Sequence, residues 1–166
     1  MGQVSWFLRR LMDRTMTEFE ETFRKNLIGM SLPTFSATAE RRRLQLFNNV
    51  IGEVDPIYSD LDAARAAGYP DLPVPLTYLF ALEYERPDPH GPLIRAGVNM
   101  SRILHAEQSF EYRHMVYAGQ LLNFNQSIVD VFSKKSGALR FMVRQTVVTS
   151  EGECVAILRN TVVEQI

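Results

Sequence analysis

The chain has 166 residues, with 18 basic against 19 acidic, a net charge of −1, 46% hydrophobic residues and 22% charged ones. That length fits one domain, and the balance excludes both the broad basic face of a nucleic-acid binder and the low-hydrophobicity, high-charge signature of disorder. A single cysteine, Cys154, excludes an intrachain disulfide and any multi-cysteine zinc site.

At the N-terminus, Trp6-Phe7-Leu8 precedes Arg9-Arg10. This apolar stretch is too short, and its charge lies on the wrong side, for a secretory signal. No apolar run in the chain approaches the ~20 residues of a membrane span. A soluble cytoplasmic protein is expected. From Val4, apolar residues recur at Phe7, Leu8, Leu11, Met12, Phe19, Phe23 and Leu27, mostly at helical steps of three and four. Charges fill much of the other face. The pattern predicts an amphipathic helix ending near Asn26, with a break near Thr15-Met16-Thr17, where Thr17-x-x-Glu20 would form a capping box. Met16 is a second candidate start. Residues 1–27 are therefore read as a helical extension and residues 28–166 as the domain proper.

Leu32–Ala37 is a candidate short strand. Thr38 is a candidate N-cap for a helix through Ile51, with Leu44, Phe47, Val50 and Ile51 as its apolar face and Gly52 as its stop. Asp60 can cap a short helix, Leu61–Ala67, ended by Gly68. Pro70, Pro73 and Pro75 then impose an extended loop. Leu76–Tyr84 reads as a helix with almost no charge before Glu83, and a helix apolar all round must be surrounded. Pro87, Pro89 and Pro92 make a second loop.

The second half alternates with period two. From Arg102 to Arg113 the apolar residues Leu104, Ala106, Phe110 and Tyr112 share one parity, while His105, Glu107, Glu111 and Arg113 share the other. This predicts a strand with His105 on its polar face. Leu122–Phe132 is a strand whose apolar phase changes, as a bulge near Ile128-Val129 would cause. Ser133–Gly137 is a loop. Leu139, Phe141, Val143 and Val147 then alternate with Arg140, Arg144 and Thr146. After a turn at Ser150-Glu151-Gly152, Cys154–Val163 is apolar on both faces at its centre, as a strand covered on both sides would be. The sum is an α+β architecture: an antiparallel sheet with one apolar helix on its face.

The densest set of chemical groups is Gly52-Glu53-Val54-Asp55-Pro56-Ile57-Tyr58-Ser59-Asp60. It places two carboxylates and a phenol between helices, and Asp55-Pro56 also suits a plain turn. This stretch, Gly-x-x-x-Pro-Ile-x-x-Asp, together with Ala63–Tyr69, Val74-Pro75-Leu76-Thr77-Tyr78, the run Arg102–Tyr112 and Ala118-Gly119-Gln120, resembles the MaoC-like hot-dog dehydratases. More narrowly it is similar to their N-terminal-type domains, from about Ile28 to Val163. The resemblance implies a hot-dog fold, in which the sheet wraps the helix Leu76–Tyr84. It also implies reversible hydration of a trans-2-enoyl thioester to a (3R)-hydroxyacyl thioester, carried by coenzyme A or an acyl carrier protein.

Active members carry Gly-Asp-x-Asn-Pro-aliphatic-His. Here Glu53 stands at the Asp position, Asp55 at the Asn position and Tyr58 at the His position. Glu keeps a carboxylate but displaces it by one methylene. A phenol with a reference pKa near 10 is a poor general base beside an imidazole near 6.5. The resemblance therefore implies a degenerate site in a non-catalytic or weakly active subunit, paired with a catalytic hot-dog partner or with a second copy of itself. Pro56, Ile57, Pro75, Leu76, Thr77 and Tyr78 are its expected substrate-binding positions. Two rival readings stand beside it. One is an active hydratase, dehydratase or thioesterase using Glu53 with His105 or Tyr58. The other is a non-enzymatic acyl-binding or scaffolding module. The cone-shaped fold of nuclear-transport-factor-like proteins is a structural competitor, but it lacks an isolated apolar helix.

His90 reads as a loop residue and His114 as a structural one. The three histidines lack metal-ligand spacing, and neither a GxGxxG nor a P-loop pattern is present, so no metal or nucleotide cofactor is expected. Arg41-Arg42-Arg43 with Arg65 reads either as a solvated face or as an attraction for the phosphates of coenzyme A or an acidic carrier protein.

Overall fold

The structure is a computed structural model in which residues 18 and 20–166 are described. The expected helix start at Val4, the capping box at Thr17 and Trp6 lie outside them. Helical residues 20–27 (α1) come first, followed by β1 (Phe35–Thr38), α2 (Arg41–Ile51), α3 (Leu61–Ala66), α4 (Tyr78–Leu82) and α5 (Gly91–Arg95). Four long strands complete the chain: β2 (Ile103–Tyr112), β3 (Leu121–Lys134), β4 (Leu139–Ser150) and β5 (Glu153–Gln165). All pairings are antiparallel, in the order β1-β3-β4-β5-β2, so β1 and β2 are the edges.

The sheet curls round α4, whose Tyr78, Leu79 and Leu82 are buried against Leu122 and Phe124 of β3, Val148 of β4 and Ala156 and Leu158 of β5. Leu44 of α2 and Ala64 of α3 close the same cluster. A second cluster joins Phe23 and Leu27 of α1 to Leu93 of α5 and to Ile128, Val131, Met142 and Val162 of the sheet.

The central helix is shorter than the expected Leu76–Tyr84. Its α-helical turn spans Tyr78–Leu82 and tightens to a 3-10 turn at Glu83–Glu85. Pro87 disfavours helical backbone at Arg86, which is extended at φ −56°, ψ 128°. Both ends of the expected helix reach solvent, with Leu76 60% and Tyr84 54% exposed. Thr38 stays paired with Leu121 in β1, so Glu40 rather than Thr38 stands at the N-cap of α2, without a side-chain cap bond. On α2, Leu44 and Phe47 face the core, but Val50 lies about 120° round the helix from Leu44 and is 77% exposed. Ile51, at the helix end, is exposed as well. The buried neighbour on that face is the polar Asn48. α5 falls in the stretch expected to be a proline loop; Pro92 sits in its first turn, where a missing N–H costs nothing.

The expected bulge in β3 is present, with the register shifting between Ile128 and Asp130. Asp60 caps α3 as expected, its Oδ1 accepting from the N–H groups of Asp62 and Ala63 at 2.8 and 3.3 Å. β2 carries a second shift, between His105 and Glu107, which its sequence pattern did not announce. A bulge exchanges the two faces of a strand. Phe110 and Tyr112 are half-buried as expected, but Leu104 and Ala106 are exposed. His105 pairs with Val162 and so falls on the face of Phe110 and Tyr112 rather than the opposite one, but it remains exposed. In β4 the polar set of the alternation is the one turned to the interior: Arg140 and Thr146 are buried, whereas Phe141 and Val143 are only half-buried.

Candidate active site

The loop that carries the motif positions is built from both ends. Gly52 closes α2 at φ 74°, a left-handed conformation that favours glycine, and its N–H bonds the Asn48 carbonyl. Pro56 opens a 3-10 turn, Pro56–Tyr58, and the Asp55 side chain caps it by accepting from the Ile57 N–H at 3.1 Å. Two α2 side chains, one turn apart, clamp the far end: Asn48 Nδ2 donates to the Tyr58 carbonyl at 2.7 Å, and Gln45 Nε2 donates to that of Ser59 at 2.6 Å. Sequence reading missed both residues. The only signal available was a buried-face position occupied by an amide.

Glu53 folds back on its own loop, where Oε1 accepts from the N–H groups of Val54 and Asp55 at 2.9 and 3.0 Å. That oxygen is occupied by the backbone. Tyr58 is half-buried, and its phenol is held above the usual tyrosine range by burial first and then by the negative charges of Glu53 and Asp55. At neutral pH it can donate a hydrogen bond but cannot accept a proton from water. Glu53, Asp55 and Tyr58 thus share one loop, with Pro56 exposed and Ile57 half-buried between them.

The other expected positions lie at the start of α4. Pro75 and Tyr78 are buried; Leu76 and Thr77 are exposed. The Tyr112 hydroxyl donates to the Leu76 carbonyl at 2.6 Å and so ties β2 to the entry of the helix. Burial pushes the phenol of Tyr112 well up. Tyr78 meets Phe47 of α2 edge-on at 5.0 Å, while its hydroxyl is buried with no hydrogen-bond partner among the described residues.

His105 stands apart from the motif loop. Its Nε2 lies 3.1 Å from Asn160 Nδ2 and 3.0 Å from the Glu107 carbonyl, and its ring lies 5.5 Å from that of Phe80. Glu107 therefore meets it through the backbone rather than as a carboxylate partner. Asn160 also donates to Gln108 Oε1 at 3.1 Å and accepts from Arg144. These residues begin a polar belt across the inner face of the sheet. The belt continues through Arg144 to Glu83, Arg86 and Gln126 beneath α4, between the two apolar clusters. Of the arginines considered for phosphate attraction, Arg41 is paired with Asp71 and Arg43 with Glu85. Among the described residues no group of His, Cys, Asp and Glu could hold a metal ion, and no helix is long and apolar enough to cross a membrane.

A five-stranded antiparallel sheet wrapped round a short apolar helix, with a Gly-x-x-x-Pro-Ile loop at the end of α2, defines a hot-dog domain of the MaoC-like dehydratase type. Residues 26–158 match the family model described as FAS1-like, dehydratase domain region, and the chain belongs to that family. It is 32% identical over 108 residues to a UPF0336 protein of Streptomyces coelicolor, covering 63% of this chain and 70% of that protein. Among solved structures it resembles the C-terminally truncated HadBC (3R-hydroxyacyl-ACP dehydratase) complex from Mycobacterium tuberculosis. The TM-score is 0.70 at 24% identity, over 82% of this chain and 96% of that one. It also resembles the ChsH1-ChsH2 complex from Mycobacterium tuberculosis, with a TM-score of 0.71 at 19% identity over 92% of each chain. At these identities the likeness is one of fold.

Proposed function

We propose that this chain is a weakly active or non-catalytic hot-dog subunit that binds the acyl part of a coenzyme A or carrier-protein thioester, in a pathway of enoyl and (3R)-hydroxyacyl thioesters. The observation that carries this reading is the state of the motif loop. Hydration requires one group to take a proton from water as its oxygen attacks C3, and one to deliver a proton to C2. Glu53 has an oxygen committed to two backbone N–H groups, Asp55 is committed to a cap, and the Tyr58 phenol is held in its neutral form. No imidazole stands on the loop. Correctly placed acid–base groups contribute about 10²–10⁴-fold, so their loss accounts for a binding role without efficient turnover.

The surface round the loop supports pairing. Val50, Ile51 and Val54 are exposed beside it, Val54 at 90%, and contiguous exposed apolar residues mark interaction sites. The ten-residue edge strand β2 also has its outer side open to pairing. The partner is a second copy or a related hot-dog subunit that carries an intact Asp and His, with the acyl chain held near Ile57, Pro75 and Tyr78. The test is an assay with crotonyl-coenzyme A. Glu53→Asp combined with Tyr58→His restores both missing side chains and is expected to gain activity over the wild type. A double variant that folds and gains nothing counts against a site degenerate only at those positions.

A further inference from the structure

Each of the five helices is anchored in one of the two clusters on the inner face of the sheet, which leaves the outer face without a described helix over it. Yet the two central strands present Phe141, Val143 and Val147 of β4 and Ile157 and Val163 of β5 on that outer face, each half-buried and outside both clusters. An antiparallel sheet with one wet face turns its polar residues to the water. Here the buried inner side holds Arg140, Asn160 and Glu164, while aromatic and aliphatic side chains occupy the outer one. A strand apolar on both sides, as β5 is, calls for a cover on both.

The strand registers join these residues into bands that cross all four long strands. One band is Phe132, Phe141, Val163 and Leu104. Val147 and Ile157 form a second apolar pair, and Val143-Thr161 and Gln145-Arg159 lie between the two. An open hollow of about 370 Å³ sits over Phe132, Phe141 and Thr161. Lys134, Arg159, Asp130 and Glu107 stand round the apolar residues, two charges of each sign, and none has an ion-pair partner among the described residues. The four strands have 10 to 14 residues each. At about 3.4 Å per residue and about 4.8 Å between strands, the face measures about 40 by about 19 Å, or about 760 Å². Each side of a standard protein interface contributes about 800 Å².

We propose that the outer face of the sheet is a self-association surface, on which a second copy of this chain packs sheet on sheet. Two copies meet through the same patch only if that patch complements itself, and the balanced charges and paired apolar bands meet this condition. A two-fold axis across the strands, between Val143-Thr161 and Gln145-Arg159, sets Phe141 against the second copy's Val147 and Val163 against its Ile157. It also brings Glu107 beside the second copy's Arg159. The surface shares no residue with the motif loop, and it forms whether or not that loop is catalytic.

Sedimentation equilibrium of the full chain between about 1 and about 500 μM, the range of a weak contact, tests the proposal. One reversible doubling of mass is expected, whether the associating unit is a single chain or a pair already joined at the motif loop. Arg159→Glu is expected to weaken that doubling at least about tenfold, because like charges then meet, and adding Glu107→Arg is expected to restore it. Both residues are exposed, so the fold measured by circular dichroism should be unchanged. Val143→Lys should weaken the doubling as well, whereas Val54→Lys, beside the motif loop, should leave it in place. Should Val143→Lys fail to fold, the charge exchange carries the test alone. A constant mass across the range, a doubling indifferent to Arg159→Glu, no recovery in the exchanged pair, or a doubling abolished by Val54→Lys overturns the proposal. So does a doubling that appears only after Phe7→Asp with Leu11→Asp, which assigns the face to the chain's own N-terminal segment.

Discussion

Leu79→Ala probes the central packing most sharply. Leu79 is fully buried on α4, and its side chain meets the sheet from the inside. The change removes three carbons, about 2.4 kcal/mol of transfer free energy at ~0.8 per methylene. It also leaves a cavity that a helix held by strands on one side and α2 on the other can only partly close. The expected cost is about 3–4 kcal/mol, a large part of a typical domain stability of about 5–15. In urea, the midpoint should fall with the slope unchanged, and the melting temperature should drop by about 6–16 °C. Leu76→Ala is the control. It lies three residues away and is 60% exposed, so its cost should stay within about 0.5 kcal/mol. Equal costs for the two variants, or a loss below about 1 kcal/mol for Leu79→Ala, would refute the assignment of α4 as the helix the sheet encloses.

Stability should decline as pH rises above about 10, the reference value for tyrosine. The phenols of Tyr58, Tyr78 and Tyr112 are all raised by burial, so the folded state holds protons that the unfolded chain releases. Tyr112→Phe should flatten that decline while costing about 0.5–1.5 kcal/mol at neutral pH through the lost bond to Leu76; an unchanged alkaline slope would argue against it. Glu164→Leu should cost about 3–5 kcal/mol by denaturant titration, because Glu164 bonds both Arg140 at 3.0 Å and the Asn99 N–H at 2.8 Å in the interior. Adding Arg140→Leu should recover part of the loss. Light scattering at micromolar concentration should give the mass of two hot-dog domains, either twice the 19.0 kDa chain or this chain with a related subunit; a monomer under both conditions would count against pairing.

Much of the fold could be read from the chain because local and global signals agree. The absence of charge before Glu83 located the enclosed helix. The parity change at Ile128-Val129 located a bulge, and Asp60 announced its own cap. The failures have physical causes. The bulge in β2 leaves no parity change in the apolar pattern, because Leu104 and Ala106 sit exposed on an edge strand; the pattern therefore showed that His105 is exposed but not that it shares the face of Phe110 and Tyr112. The inner face of the sheet carries Arg140, Arg144 and Asn160, which composition places outside; they are tolerated because Glu164, Glu83 and one another satisfy them. The motif loop was legible as a set of residues. What it is fastened by, Gln45 and Asn48, was not, because a buried amide on an amphipathic helix looks like a solvated one.

The most direct measurement is the rate of crotonyl-coenzyme A hydration by the wild-type chain alone, beside Tyr58→Phe and His105→Ala. On the proposed reading, in which the motif loop lacks the Asp and His pair, wild-type turnover should be absent or far below that of a hot-dog hydratase with both residues intact, and neither substitution should change it. Robust wild-type turnover that survives Tyr58→Phe and vanishes in His105→Ala would contradict the degenerate site and assign catalysis to an altered pair built on His105.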